Sequence, residues 1–218
     1  MRDTVIVFAR APRLGAVKRR LGKEIGARAA LQFHRCTMIA LLRELTAERR
    51  IHTVLAQTPD RARFPLPVRV MRVGQGGSNP AGGALGGGAL GGIPLGGIPL
   101  GGGDLGVRMQ RAVSRVKRGR VVVIGCDIPD ARAADVVTAF RALGRADAVF
   151  GPAEDGGYWL VGLSPRRPAR PFAGVRWSTE HALADTLANF AGRRVIMLRT
   201  LRDVDTAADL GSLPRCRF

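Results

Sequence analysis

Val121-Val122-Val123-Ile124-Gly125-Cys126-Asp127-Ile128-Pro129-Asp130 decides the fold. Four consecutive β-branched residues need apolar surroundings on both faces, which a central strand of a parallel sheet has and a half-exposed strand does not. Gly125 and Pro129 then end the strand, so the Asp127 carboxylate emerges at its carboxyl end, the edge where open α/β sheets bind ligands. A carboxylate there, ahead of a helix, suits a divalent cation that holds nucleotide phosphates. The competing role is a turn-forming or helix-capping aspartate.

Working outward, strand and helix patterns alternate. Thr4–Ala9, Ile51–Gln57, Val68–Val73, Ala148–Gly151, Tyr158–Leu163 and Val195–Leu198 read as further strands. Ile25–Glu48 carries apolar residues at helical spacing (Leu31, Met38, Leu41, Leu42, Leu45) and predicts one long helix. Helices are also expected over Leu105–Lys117, from Ala131 to Leu143 behind an Asp130 cap, from a Ser178 cap through Phe190, and from Asp205 through Leu210. This alternation predicts an α/β fold with a mostly parallel, doubly wound sheet. With 218 residues the chain suits one domain, 1–218.

Between Gly76 and Gly103 the character changes to GGSNPAGGALGGGALGGIPLGGIPLGGG, half glycine and without a charge. Glycine at that density carries too much backbone entropy for a regular element, so 76–103 reads as a flexible insertion. It is not a phosphate-binding loop: no Lys-Ser/Thr follows and no strand leads into it.

The composition excludes several classes. The chain has 35 Lys and Arg against 17 Asp and Glu, a formal net charge of +18. The arginines are scattered, and one Tyr with two Trp gives few stacking platforms, so no specific nucleic-acid partner is expected. Three cysteines without metal-ligand spacing suit a reducing cytoplasm. No apolar stretch approaches the length of a membrane span, and Met1–Thr4 runs straight into a strand-sized apolar run rather than an export segment. The expected localisation is cytoplasmic. His34 (mid-helix, surface or partly buried), His52 and His181 pair with no Ser or Cys in a nucleophile arrangement, which argues against a hydrolytic triad.

Three segments carry chemistry. After the first strand, Ala9-Arg10-Ala11-Pro12-Arg13-Leu14-Gly15-Ala16-Val17-Lys18-Arg19-Arg20-Leu21 places cations and a glycine ahead of a helix, a grip for phosphate oxygens or simply a solvated basic loop. Lys18 is its only lysine. Gly151-Pro152-Ala153-Glu154-Asp155-Gly156-Gly157-Tyr158-Trp159 sets two acids before two glycines and paired aromatics. It can bind sugar hydroxyls or accept an acceptor's proton, or be a plain hairpin turn. Asp203-Val204-Asp205-Thr206 offers a second metal carboxylate or a helix cap. Trp177-Ser178-Thr179 can line an acceptor pocket or enter a helix. Arg166, Arg167 and Arg170 read as surface charge in a Pro-rich loop.

Taken together, Phe8–Leu21, Gln75-Gly76 with Asp104–Met109, Gly125–Pro129, Gly151–Leu163, Trp177–Thr179 and Asp203–Leu210 resemble, in order, the motifs of a bacterial group assigned as A-type glycosyltransferases. This is the radical-SAM/selenodomain-associated transferase type, related to the molybdenum-cofactor and phospholactate nucleotidyltransferases. The resemblance spans nearly the whole chain. Departures are Arg10 for a usual Lys, Arg19 for Thr, Val107 for an acid, and the insertion that parts Gln75-Gly76 from Asp104.

The resemblance implies a three-layer α/β/α fold of the nucleotide-diphospho-sugar transferase kind, with Mg²⁺ or Mn²⁺ on Asp127 and Asp205. Ala9, Arg10, Arg13, Gly15, Lys18, Arg20 and Asp104 would bind the nucleotide and its phosphates, Lys18 also stabilising the leaving group. Glu154, Gly156, Gly157, Tyr158, Trp177, Ser178 and Thr179 would face the substrate, and Asp155 would serve as base or orienting group. The implied partners are a nucleotide or nucleotide sugar and a small-molecule acceptor, with the oligomeric state open. The implied activity is glycosyl transfer. Nucleotidyl transfer to a phosphorylated small molecule is the alternative enzyme, and a non-catalytic basic nucleotide- or RNA-binding protein the alternative outside enzymes.

Overall fold

The computed structural model describes residues 3–60, 62–74, 103–116 and 119–211. The insertion expected at 76–103 lies outside them except for Gly103, as does Gln75. Seven strands form one sheet: β1 Asp3–Arg10, β2 Ile51–Thr58, β3 Met71–Gly74, β4 Val121–Gly125, β5 Ala148–Pro152, β6 Tyr158–Leu163 and β7 Val195–Met197. Their order is β3-β2-β1-β4-β6-β5-β7. All neighbouring pairs are parallel except those of β6, which runs antiparallel to both β4 and β5. The expected mostly parallel α/β architecture is what the chain adopts, with β6 as its antiparallel exception.

The alternation of side chains along the central strands builds a core on each face. Val5, Val7, Val122 and Ile124 point to one side and meet Met38, Leu42 and Leu45 of helix α2 (Ala27–Ala47) and Val136, Ala139 and Phe140 of α4 (Ala133–Ala142). Ile6, Val121 and Val123 point to the other and meet Met109 and Val113 of α3 (Leu105–Ser114) together with Phe150, Val161 and Phe190. Each of these fully buried aliphatic side chains contributes about 1.5–3 kcal/mol relative to exposure, so the β-branched run of β4 anchors both layers at once. Among the described residues no helix is long and apolar enough to cross a membrane.

Several boundaries differ from expectation. The helix predicted over Ile25–Glu48 is two, α1 (Arg19–Ile25) and α2, broken at Gly26, whose φ of 89° no helix accommodates. Asp130 does not cap α4. Arg132 is the N-cap, and its backbone N–H is bound by the Asp135 carboxylate at 2.9 Å. The helix expected from Ser178 starts later, as α5 (Ala182–Ala188), because Ser178 itself has φ 61°. At the last helix, α6 (Ala207–Gly211), Asp209 takes the capping role foreseen for Asp205, accepting from the backbone N–H groups of Asp205 at 3.0 Å and Thr206 at 2.8 Å. The Asp205 carboxylate is thereby left for other work.

The sheet order places the site. From β1 the chain winds outward to β2 and β3, then returns to the other side of β1 as β4. The carboxyl ends of β1 and β4 therefore diverge, with Phe8 beside Gly125 in the register, and leave the crevice in which such sheets bind ligands.

Candidate active site

Three distant segments converge on Lys18. It is the N-cap of α1, held at φ 43°, ψ 53°, a left-handed conformation that costs a residue with a Cβ about 1–2 kcal/mol. That backbone turns the side chain inward. Its Nζ lies 3.1 Å from Asp127 Oδ2 and 3.0 Å from Asp205 Oδ1, with only 6% of the side chain exposed. Burial alone would lower the ammonium's pKa, but the two carboxylates together outweigh it and hold the pKa above 10.5, so Lys18 is a permanent cation.

Around this centre opens a cleft of about 460 Å³ lined by Arg10, Lys18, Arg19, Arg20 and His34, with Phe8, Cys126, Asp127 and Asp205. Arg20 is 82% exposed and stands 3.9 Å from Asp205 Oδ2, free to swing onto a ligand. His34, expected at the surface or partly buried, is buried: its Nε2 donates to the Arg10 carbonyl at 2.8 Å. Burial pushes its pKa below 6.5, so the ring is neutral and steadies the loop. Burial likewise pushes the Cys126 thiol up and keeps it inert. Four cationic side chains above two carboxylates form a chemistry suited to a metal-bound diphosphate.

A second cleft, of about 420 Å³, adjoins the first and shares Phe8 and Asp127 with it. Tyr158, Trp177, Ser178, Thr179, Asp155, Gly157 and Asp203 line it. Two glycines outside its lining let its walls pack closely. A Cβ on Gly106 would sit 2.6 Å from Trp177 Nε1, so only glycine lets the indole lie on α3. A Cβ on Gly156 would sit 2.2 Å from the Glu180 carbonyl oxygen, where the β5–β6 turn packs under the 177–181 segment. The hairpin reading of Glu154–Gly157 is correct as far as it goes: β5 and β6 pair antiparallel, and the Asp155 carboxylate accepts from the Gly157 N–H at 2.9 Å. The other Asp155 oxygen remains available to the cleft. Asp203 has its pKa raised by burial and by the neighbouring Asp205, Asp127 and Asp155 charges. Tyr158 is also raised, by burial, and stays a neutral phenol.

The structure thus brings together Arg10, Lys18, Arg20, Asp127 and Asp205 in one cleft and Asp155, Gly157, Tyr158, Trp177, Ser178 and Thr179 in the next. It does not bring Asp104, Glu154 or Gly156 into either lining. Asp104 is the N-cap of α3, accepting from the Val107 N–H at 2.8 Å, and Glu154 faces Arg202 at 3.7 Å. Arg13 and Gly15 are exposed in the loop outside the linings, and Ala9 belongs to the core. Phe8, Arg19, His34 and Met109 line the clefts without having stood out in the sequence. For Phe8, adjacency to the basic loop is the available sign, and for Arg19, its place within that loop; His34 and Met109 reach the site through tertiary packing.

Among the described residues no group of three or more His, Cys, Asp or Glu is arranged to hold a metal. Two carboxylates are nonetheless an adequate donor set for Mg²⁺ or Mn²⁺ when phosphate oxygens and water complete the shell. Asp127 and Asp205 meet that requirement: both are hard oxygen donors, and 44% and 43% of their side chains are exposed to the cleft.

Residues 95–179 match a family described as uncharacterized proteins conserved in bacteria, DUF2064. That segment holds β4, the hairpin glycines and Trp177. The chain is also similar, at 29% identity and a TM-score of 0.81, to a Desulfovibrio desulfuricans protein assigned as a nucleotide-diphospho-sugar transferase, over 99% of this chain and 87% of that one. Two cytidylyltransferase-type enzymes share the fold only. The 4-diphosphocytidyl-2C-methyl-D-erythritol synthase of Anaerococcus prevotii is 9% identical with a TM-score of 0.53, over 96% and 94% of the two chains. The 2-C-methyl-D-erythritol 4-phosphate cytidylyltransferase of Thermus thermophilus is 14% identical with a TM-score of 0.51, over 97% and 96%. No curated protein matches the sequence.

Proposed function

We propose that the chain is a metal-dependent transferase that takes a glycosyl group from a nucleoside-diphosphate sugar and gives it to a small acceptor. The observation that carries this reading is the pairing of a cationic cleft with a carboxylate-rimmed one, joined at Asp127 on the sheet's carboxyl edge. Similarity to the Desulfovibrio protein supports it.

In this reading Arg10, Lys18 and Arg20 hold the diphosphate and its growing charge as the leaving group departs, an electrostatic and positional contribution. Lys18 serves best, because its ammonium is pre-positioned and cannot lose its proton near neutrality. Mg²⁺ or Mn²⁺ on Asp127 and Asp205 would neutralise the same phosphates. Asp155, at the second cleft, orients the acceptor hydroxyl and takes its proton. The acceptor oxygen bonds to the anomeric carbon, the bond from that carbon to the β-phosphate oxygen breaks, and the nucleoside diphosphate leaves with the bonding pair.

The test is product analysis. The protein is incubated with Mg²⁺ or Mn²⁺ and a panel of nucleotide sugars, or with nucleoside triphosphates and phosphorylated small molecules. Release of nucleoside diphosphate from a nucleotide sugar supports the proposal. Release of pyrophosphate instead would replace it with nucleotidyl transfer, and binding of RNA without any nucleotide would replace it with a basic binding protein.

A further inference from the structure

The second cleft has a charge character at odds with the rest of the chain. The sequence holds 35 Lys and Arg, yet among the described residues none lines this cleft, while Asp127, Asp155 and Asp203 do. The arginines nearest to it in sequence are drawn off elsewhere. Arg176, next to Trp177, is bound to Asp185 through Nε at 2.9 Å and Nη2 at 2.8 Å. Arg202, next to Asp203, turns to Asp209 at 2.6 Å and Glu154 at 3.7 Å. Arg108, next to Met109, donates to the Asp104 carbonyl at 3.3 Å, and Lys18 reaches Asp127 at 3.1 Å from the first cleft.

The floor and far wall are apolar: Leu105 and Met109 of α3, Val123, Val161 and Ile128. Tyr158 and Trp177 close the side, their rings edge to face at 6.2 Å. At about 420 Å³ the cavity falls in the range of sites that hold small organic ligands. An anionic group in it would lose its hydration and meet Asp155, Asp203 and an Asp127 already paired with Lys18 at 3.1 Å in the first cleft, with no Lys or Arg among the described lining residues to receive it. A hydroxyl group would find carboxylate acceptors at the rim and leave its apolar body against the aromatic wall.

We infer that this cleft is the acceptor subsite and takes an uncharged, hydroxyl-bearing molecule with an aromatic or aliphatic body, and that it rejects phosphorylated or carboxylated acceptors. The inference rests on the first cleft being the nucleotide side. It narrows the reaction, since nucleotidyl transfer to a phosphorylated small molecule would require the very group this cleft disfavours.

Naphthylethanol is a suitable probe, observed by saturation-transfer NMR on the full chain, with its phosphate monoester and naphthylacetate as competitors. The alcohol is expected to bind, and Trp177→Ala and Ala153→Phe, which respectively remove a wall and fill the cavity, should each weaken it at least tenfold. The phosphate and carboxylate should displace the alcohol only at tenfold or higher excess, and Asp155→Asn should narrow that gap. Absence of alcohol binding overturns the inference, as does binding indifferent to both cavity variants or displacement by the phosphate at equal concentration. A separate titration with nucleoside diphosphate and Mg²⁺ distinguishes the two levels. Its failure, with the alcohol still bound as expected, would sink the donor reading and leave the ligand class of this cleft standing.

Discussion

Lys18→Met removes the ammonium and keeps most of the buried stem, so it isolates the charge. The backbone strain at φ 43° is unchanged, because methionine also carries a Cβ. What is lost is two charge-assisted contacts, at 3.1 Å to Asp127 and 3.0 Å to Asp205. A hydrogen bond to a charged group contributes about 1.5–3 kcal/mol. Because both carboxylates are nearly half exposed, water rehydrates them, and the pair together should cost no more than about 1.5–3 kcal/mol. In a chain of this size 1 kcal/mol moves the melting temperature by about 2–4 °C, so the variant should melt about 3–12 °C lower in EDTA.

Two further signs follow. Lys18 has a folded pKa above its usual value, so its contribution is complete below about pH 10.4 and is lost only as pH rises through the folded value. The gap between variant and wild type should therefore stay flat between pH 6 and 9. Saturating Mg²⁺ should narrow it, since a divalent ion supplies the missing positive charge, and the variant should bind Mg²⁺ more tightly than wild type because no ammonium competes. Differential scanning calorimetry with and without Mg²⁺ makes the measurement. Equal melting temperatures in EDTA, or weaker Mg²⁺ binding by the variant, would refute the reasoning.

Other outcomes follow from single contacts. Gly106→Ala gains helix propensity but drives a Cβ to 2.6 Å from the Trp177 indole; a net loss of about 1–3 kcal/mol and a shifted tryptophan emission are expected, and an unchanged spectrum would show that the wall does not need the glycine. Arg167→Ala should lower the melting temperature, because the guanidinium donates to the Val113, Val116, Gly119 and Ser164 carbonyls, whereas Arg170→Ala should not; equal melts for the two would contradict this. His34 is buried with a depressed pKa, so the unfolded chain takes up its proton first and stability falls as pH drops below about 6.5. His34→Gln should lose that part of the pH dependence in urea titrations from pH 7 to 5, and an unaltered slope would count against a neutral buried imidazole.

The sequence disclosed what a strong local pattern could carry. Four β-branched residues mark β4 as buried on both faces whatever its neighbours, but nothing in Tyr158–Leu163 reveals that β6 would insert antiparallel between β4 and β5, because pairing direction is a tertiary choice. Gly26 lies inside an apolar periodicity that continues across it, so the break between α1 and α2 is visible only in the backbone. At the site, Lys18, Asp127 and Asp205 were singled out separately and prove to be within contact distance. Asp104 and Glu154 looked equally suitable and instead meet a helix cap and an arginine. The Arg166–Arg167 pair, read as surface charge, is engaged by Asp147 and by five backbone carbonyls, a role that charge counting cannot foresee.

The most direct test of the central claim is calorimetric titration of a nucleoside-diphosphate panel into wild type and Asp127→Asn, each with Mn²⁺ and with EDTA. Among the described residues Asp127 is the one carboxylate common to both clefts, and its removal touches a strand end rather than the core. Wild type should bind at least one nucleoside diphosphate far more tightly with Mn²⁺ than with EDTA, and Asp127→Asn should lose that metal-dependent gain, about a hundredfold, while melting within a few degrees of wild type. Unchanged Mn²⁺-dependent affinity in Asp127→Asn would contradict a metal-held nucleotide at this crevice.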